Sequence, residues 1–175
     1  VIMGAFGVGQ DQVHWLSTGF IAAMTVSMLL NDWCVRSFGA KATYIGAMTV
    51  FAIGAIMGGL SPTIDIMIFS RLLQGAGAGI VQPLTMVLTF QVFPVEQRGT
   101  AMGLFGLGVV VAPTVGPVLG GVLLDVFNWH YVFFMAVPVA VVGMFLALVF
   151  MPGNERKGPL PSFDWTGLIL VGNAI

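Results

Sequence analysis

The fold is decided by residues 106–121, which read Gly-Leu-Gly-Val-Val-Val-Ala-Pro-Thr-Val-Gly-Pro-Val-Leu-Gly-Gly. They lie within an apolar run, residues 100–126, that is long enough to cross a bilayer as a helix. The stretch holds five glycines and two prolines, which would cost a water-soluble helix roughly 1 kcal/mol per Gly and 3 kcal/mol per Pro relative to Ala. Inside a membrane, neighbouring helices can satisfy the backbone groups that such residues leave unbonded. The pattern therefore predicts a transmembrane helix.

Small residues recur every four positions along this helix, from Gly108 to Gly120. This spacing makes a smooth face on which the backbone of another helix can lie closely. Each proline removes a backbone donor and favours a bend. We therefore expect a bent helix suited to close packing.

The composition is that of an integral membrane protein. Hydrophobic residues make up 58% of the 175 residues, charged residues only 7%, and the mean hydropathy is +1.01, whereas a soluble domain is nearer a quarter charged. The net charge of −1 predicts no nucleic-acid partner. The single cysteine, Cys34, argues against an internal disulfide and a cysteine-cluster metal site. We find no histidine pair with metal-ligand spacing, phosphate-binding loop or nucleophile triad, so we expect neither an enzyme nor a cofactor.

Apolar runs alternate with short polar segments along the chain. Residues 1–8 would end a first span and residues 165–175 would begin a seventh, so we expect both ends to be cuts through membrane helices of a longer protein. Residues 1–151 are predicted to form a helical bundle and the proline-rich residues 152–164 a cytoplasmic linker. The second to sixth spans are predicted at residues 14–31, 44–60, 66–93, 100–126 and 131–151, the last with a bend at Pro138.

The distribution of basic residues sets the orientation. Five of the six Lys and Arg residues follow the second, fourth and sixth spans, whereas the other turns carry none. The positive-inside rule places the basic side in the cytoplasm. These basic residues are Arg36, Lys41, Arg98, Arg156 and Lys157.

Residues 112–121 resemble the fifth-span antiporter motif of the major facilitator superfamily, a small residue followed by Gly-Pro-x-x-Gly-Gly. The resemblance implies an all-α, polytopic transmembrane bundle. It would be the N-terminal six-helix half of such a transporter, with its first and last spans truncated. It also implies a proton-coupled exporter rather than an importer, although the same residues could serve packing alone. The matching residues are Ala112, Pro113, Gly116, Pro117, Gly120 and Gly121.

One charged residue, Arg71, lies within the apolar run of the fourth span. A charge inside the membrane is expensive and usually functional. Arg71, Gln74 and Gln82 share one helical face with Ala78, and because lipid penalises a polar stripe, we expect this face to line the bundle interior or a water-filled cavity. Arg71 could also extend its charge to the outer headgroups, or it could only hold adjacent helices together.

Residues 71–77, Arg-Leu-Leu-Gln-Gly-Ala-Gly, resemble the superfamily's fourth-span motif, Arg-x-x-Gln-Gly-x-Gly. The resemblance implies a buried arginine that takes part in proton coupling or in the polar network of this half. The predicted buried polar face of the fourth span consists of Arg71, Gln74, Gly75 and Gln82.

A charged loop is predicted between the second and third spans, with Asp32, Arg36, Gly39 and Lys41 as its candidate residues. It matches the superfamily's motif Gly-x-Leu-Ala-Asp-Arg-x-Gly-Arg-Lys only at Gly39 and Lys41. The acidic residue of the motif falls on Arg36, so the family's charge latch does not transfer to this position. Asp32 and Arg36 are four residues apart and can pair on one helix face. A latch of altered polarity and a simple interfacial anchor both remain open.

The start of the sixth span, Trp129-His-Tyr-Val-Phe-Phe, is similar to the Trp-x-x-x-Phe-Phe pattern of drug exporters, and the short linker resembles that of the fourteen-span drug:proton antiporters. The resemblance implies proton-coupled export of drugs or other lipophilic molecules across the bacterial plasma membrane by alternating access. Met86 and Phe105 are predicted in the cavity wall. The implied partners are the bilayer, a lipophilic substrate, protons and the C-terminal half of the same chain. A narrow-specificity metabolite exporter and a non-transporting receptor or scaffold are the alternatives.

Overall fold

The structure is a computed structural model, and it describes residues 6, 7 and 9–151. The predicted linker and the start of the seventh span lie outside these residues. The described part is helical, and five segments are long and apolar enough to cross a membrane. The predicted transmembrane helix bundle is therefore confirmed. The helices are Gln10–Phe38 (second span), Ala40–Gly59 (third), Ile64–Val92 (fourth), Arg98–Val126 (fifth), and His130–Phe134 with Ala136–Phe150 (sixth).

The prediction of a charged loop between the second and third spans is wrong. The helix of the second span continues through Asp32 and Arg36 to Phe38, and the next helix begins at Ala40. Only Gly39 interrupts them, with a φ of 82° that glycine adopts without steric cost. The second-span helix has 29 residues, or about 43 Å at 1.5 Å per residue, and this exceeds the roughly 30 Å of the hydrocarbon core. Its charged end can therefore stay helical outside the apolar layer.

The fourth span is the centre of the described bundle, packed between the second and third spans. Gly75 and Gly79 lie against backbone carbonyls of the second span, and Gly77 lies against the carbonyl of Ala47 in the third. A Cβ atom at any of these three positions would collide with backbone atoms. The alternating glycines thus let two helices approach the fourth span from two sides.

The sixth span packs against the third and is interrupted at Met135, between its two helical segments. Pro138 lies three residues further on and has no N–H to donate to the carbonyl of Phe134. The interruption agrees with the bend predicted at Pro138. Before it, the side chain of Phe133 is buried in an apolar cluster with Leu16 and Met67.

The fifth span is one continuous helix that includes both of its prolines. Most of its surface is exposed within the part of the chain that the structure describes. A Cβ atom added at Gly103, Gly106, Gly108, Gly116 or Gly120 would meet no atom within 4 Å. The close packing predicted for this face therefore has no partner among the described residues, and it stays a prediction.

Candidate functional site

Arg71 lies in the second turn of the fourth-span helix, and its side chain points into the bundle. Its Nη1 donates a hydrogen bond of 3.0 Å to Oε1 of Gln74. Its guanidinium carbon lies 4.5 Å from the centroid of the Phe133 ring in the sixth span. Such a stack over an aromatic face is attractive for a cation. Both contacts are made inside the bundle, which favours the inward-facing interpretation of Arg71 over extension to the headgroups.

The packing around Gln74 holds the partner of Arg71 in place. Gln74 is only 3% exposed. It lies against Gly54 of the third span, where an added Cβ atom would come within 2.9 Å of the Gln74 backbone nitrogen. The hydroxyl of the neighbouring Ser70 is bonded to the carbonyl of Met67 at 2.7 Å, so it does not compete for the Gln74 amide. The packing thus holds the amide oxygen of Gln74 within hydrogen-bond distance of the Arg71 guanidinium.

No acidic side chain contacts Arg71 among residues 6, 7 and 9–151, where the one ion pair joins Asp32 and Arg36. The described acidic residues are all exposed. Among the described residues, the charged group of Arg71 is therefore contacted by an amide oxygen and an aromatic face and by no carboxylate. In a low-dielectric interior, such a charge would stabilise the ionised form of a carboxylate brought close to it.

A cavity of about 440 Å³ lies beside the fourth span, and all five described spans contribute to its wall. This volume is in the range typical of sites for drug-sized ligands. The wall is almost entirely apolar, and its polar side chains are Gln82 and Thr85. The Thr85 hydroxyl donates to the carbonyl of Val81 at 2.8 Å. The amide of Gln82 makes no side-chain hydrogen bond within the described residues, so it can bind a ligand.

The cavity wall differs partly from the sequence prediction. Phe105 lines it as expected, whereas Met86 is exposed elsewhere on the fourth-span helix. The flexible thioethers are instead those of Met24 and Met48 from the second and third spans. No pattern in the fourth span could have indicated them, because they belong to other helices.

The predicted polar face of the fourth span is divided between two places. Arg71 and Gln74 form one pair near the outer end, and Gly75 packs against the second span. Gln82 is exposed at the cavity instead of buried. Eleven residues separate Arg71 from Gln82, or about 16 Å along the helix axis. Arg71 and Gln82 do lie on one helical face, but the surroundings of its two ends differ. Arg71 lies against Phe133, whereas Gln82 lies at the cavity.

The fifth-span motif lies apart from Arg71. Gly116 and Gly120 line a second cavity, of about 310 Å³, together with the third and sixth spans. Ala112, Pro113 and Pro117 are exposed in the described structure. The motif thus presents small residues towards open space beside the bundle. Gly121 is half-buried next to them.

The charged residues at the cytoplasmic end do not form one cluster. Nε of Arg36 lies 2.9 Å from a carboxylate oxygen of Asp32, and both side chains are exposed. Lys41 instead donates hydrogen bonds to the carbonyls of Leu148 at 2.8 Å and Met151 at 3.2 Å. A cation is favourable at the last carbonyls of a helix. Sequence reasoning missed this contact, because nothing local marks residues more than a hundred positions apart as neighbours.

Sequence reasoning related the aromatic residues after the fifth span to a drug-exporter pattern and gave them no contact with Arg71. The Trp129 ring does stack on His130, with centroids 3.8 Å apart, and lies 5.3 Å from Phe6. Phe133, however, is 3% exposed and contacts Arg71. The sequence signal that could have indicated the position of Phe133 was the helical register. Phe133 lies four residues after Trp129 and therefore on the same helix face.

Comparison with known proteins gives the family. The sequence profile of the Major Facilitator Superfamily matches residues 1–170. The multidrug export protein EmrB of Escherichia coli (strain K12) is 32% identical over 170 residues, which are 97% of this chain and 33% of that protein. The uncharacterized MFS-type transporters YcnB and YhcA of Bacillus subtilis (strain 168) are each 35% identical, over 86% and 97% of this chain and 32% of their own length. The chain thus spans about a third of the length of the curated relatives it matches. The described residues include five helices long and apolar enough to cross a membrane, and the chain is a multi-pass protein of the bacterial inner membrane that belongs to the major facilitator superfamily of transporters.

Proposed function

We propose that this chain forms the N-terminal half of a proton-coupled exporter of drugs or other lipophilic small molecules. The observation that carries the proposal is the cavity of about 440 Å³ beside the fourth span. Its apolar wall favours lipophilic molecules, and the amide of Gln82 can orient one polar group of a ligand. Thioether side chains such as those of Met24 and Met48 adapt to ligands of different shape. The name of EmrB describes multidrug export by that relative, which supports the same kind of cargo here.

Transport would proceed by rocking of this half against a second half of the same transporter around a site near the bilayer midplane. The coupling ion would be the proton, with no other cofactor. Because the described acidic residues are exposed and lie towards helix ends, the acid that carries the proton would come from another part of the protein. Arg71 would then tune the protonation of that acid by stabilising its ionised form.

The test uses the full-length transporter in proteoliposomes with an imposed proton gradient and ethidium as the transported dye. We expect gradient-dependent movement of ethidium that stops when a protonophore is added. A wider panel of lipophilic compounds then measures selectivity. Movement of a single compound would indicate a narrow-specificity exporter, and no movement of any compound by correctly inserted protein would contradict the proposal.

A further inference from the structure

The guanidinium of Arg71 has two partners among the described residues, and they constrain it differently. The hydrogen bond to Gln74 joins two side chains of the same helix, so it ties the guanidinium only to the fourth span. The stack on Phe133, with 4.5 Å between the guanidinium carbon and the ring centroid, joins the fourth span to the sixth. The ring of Phe133 therefore sets which neighbouring span the charge faces.

Arg71 has an alternative position for its charge. It lies seven residues after the start of the fourth-span helix at Ile64, about 10 Å along the axis, and a long arginine side chain near a helix end can extend to the headgroups. An aromatic face attracts a cation more strongly in a desolvated interior than at an exposed surface. Because Phe133 is only 3% exposed, its attraction is of the stronger kind and opposes that extension.

The third span holds the ring of Phe133 in place. A Cβ atom added at Gly58 would collide with two carbons of this ring and would lie 2.8 Å from the Ser70 hydroxyl oxygen. The ring thus occupies the space that a side chain at position 58 would need. The ring of Trp129 meets Phe133 edge-on, with centroids 6.2 Å apart. These contacts limit the movement of the ring while Arg71 lies over its face.

We propose that Phe133, which lies against Gly58, is a positioning residue for Arg71. Its ring keeps the guanidinium inside the bundle, where Arg71 acts on the acid that carries the proton. This consequence for coupling rests on the proposed export function, whereas the placement of Arg71 does not. Gln82 in the wall of the transport cavity lies about 16 Å from Arg71 along the helix axis. Loss of the ring should therefore slow coupled transport without weakening substrate binding.

NMR spectroscopy of the full-length transporter in nanodiscs, with ¹⁵N-labelled arginine, tests the placement directly. Arg71→Lys identifies the side-chain signal of Arg71 by its loss. Protons above an aromatic ring resonate at higher field, so Phe133→Leu, which keeps an apolar side chain, should shift this signal downfield. Phe134→Leu is the matched control, because Phe134 lies against the adjacent Gly59 and is not the ring on which Arg71 stacks. An unchanged signal in Phe133→Leu would overturn the proposal.

Transport kinetics in proteoliposomes test the consequence. Phe133→Leu should lower the maximal rate of gradient-driven ethidium movement about tenfold, the order expected for one desolvated cation–π contact, and should leave the apparent KM unchanged. Phe134→Leu should change neither value. Phenylalanines that carry one, two or three fluorine atoms at position 133 keep the ring but withdraw electron density from its face. Each added fluorine should lower the rate further, and this series decides the question even if Phe133→Leu does not fold.

The two adjacent glycines provide a second matched pair. Gly58→Ala forces the ring of Phe133 to move, whereas Gly59→Ala places the same methyl group 2.8 Å from the ring of Phe134. Both changes add a methyl group near the end of the same helix. Only Gly58→Ala should shift the Arg71 signal and slow transport, and equal effects of the two changes would contradict the role of Gly58.

The other combinations of results are also decisive. Equal slowing by Phe133→Leu and Phe134→Leu would indicate a general packing effect and overturn the positioning role. A shifted Arg71 signal with unchanged transport would overturn the consequence for coupling. Absence of gradient-driven transport by the unaltered protein would contradict the proposed function alone, because the NMR measurement would still decide the placement of Arg71.

Discussion

Replacement of Gly77 by alanine tests the helix packing on which the site depends. A Cβ atom at Gly77 would lie 2.5 Å from the carbonyl oxygen of Ala47 and 2.8 Å from Cβ of Phe51. The third and fourth spans would have to move apart, because backbone atoms cannot rotate away as a side chain can. Overpacking of this kind costs roughly 1–3 kcal/mol. We expect Gly77→Ala to lower the unfolding free energy of the full-length transporter by this amount, measured by SDS titration in mixed micelles.

Gly46→Ala is the matched control, since it places the same methyl group on the third-span helix where nothing lies within 4 Å. There the gain in helix propensity should leave stability unchanged or raise it by up to about 1 kcal/mol. The contrast between the two variants separates steric overlap from helix propensity. Equal unfolding free energies for Gly77→Ala and Gly46→Ala would refute the close contact of the third and fourth spans.

Four further predictions follow from individual contacts. Arg71→Ala should abolish gradient-driven ethidium efflux while the protein still reaches the membrane, and normal efflux would contradict its role in coupling. Gln82→Leu should weaken apparent ethidium affinity about fivefold through one lost hydrogen bond, whereas Gln91→Leu, exposed near the end of the same helix, should not. Lys41→Met should speed amide hydrogen exchange at the end of the sixth span, around Met151, because the helix loses the cation bonded to its last carbonyls; unchanged exchange would argue against that contact. Asp32→Asn should change the unfolding free energy by no more than about 0.5 kcal/mol, since the pair with Arg36 is exposed.

The membrane spans could be predicted because their signal is local. An apolar run of sufficient length has few alternatives in a chain with 7% charged residues. The boundary between the second and third spans was missed because charge does not end a helix. Asp32 and Arg36 are compatible with continued helix at its exposed end, and the chain turns only where Gly39 permits a positive φ.

The candidate site was predictable in part. The helical wheel places Arg71 and Gln74 on a common face, and their side chains are hydrogen-bonded in the structure. The cost of a charge in lipid predicts that this face is turned inward. A wheel does not show which neighbouring helix covers each turn. For this reason the exposure of Gln82 at the cavity, the contact of Arg71 with Phe133 and the methionines of the cavity wall became visible only in the structure.

The glycines of the fourth and fifth spans follow similar sequence patterns but have different packing environments in the structure. In the fourth span, Gly75 and Gly77 are in contact with backbone atoms of two neighbouring helices. Those backbone atoms occupy the space that a side chain would need. In the fifth span, Gly116 and Gly120 meet nothing within 4 Å among the described residues, although they line a cavity beside the third and sixth spans. An exposed glycine lowers helix propensity by about 1 kcal/mol relative to alanine without any packing gain. The four-residue spacing of small residues predicts that another helix packs on the fifth-span face, and this prediction has no partner among the described residues.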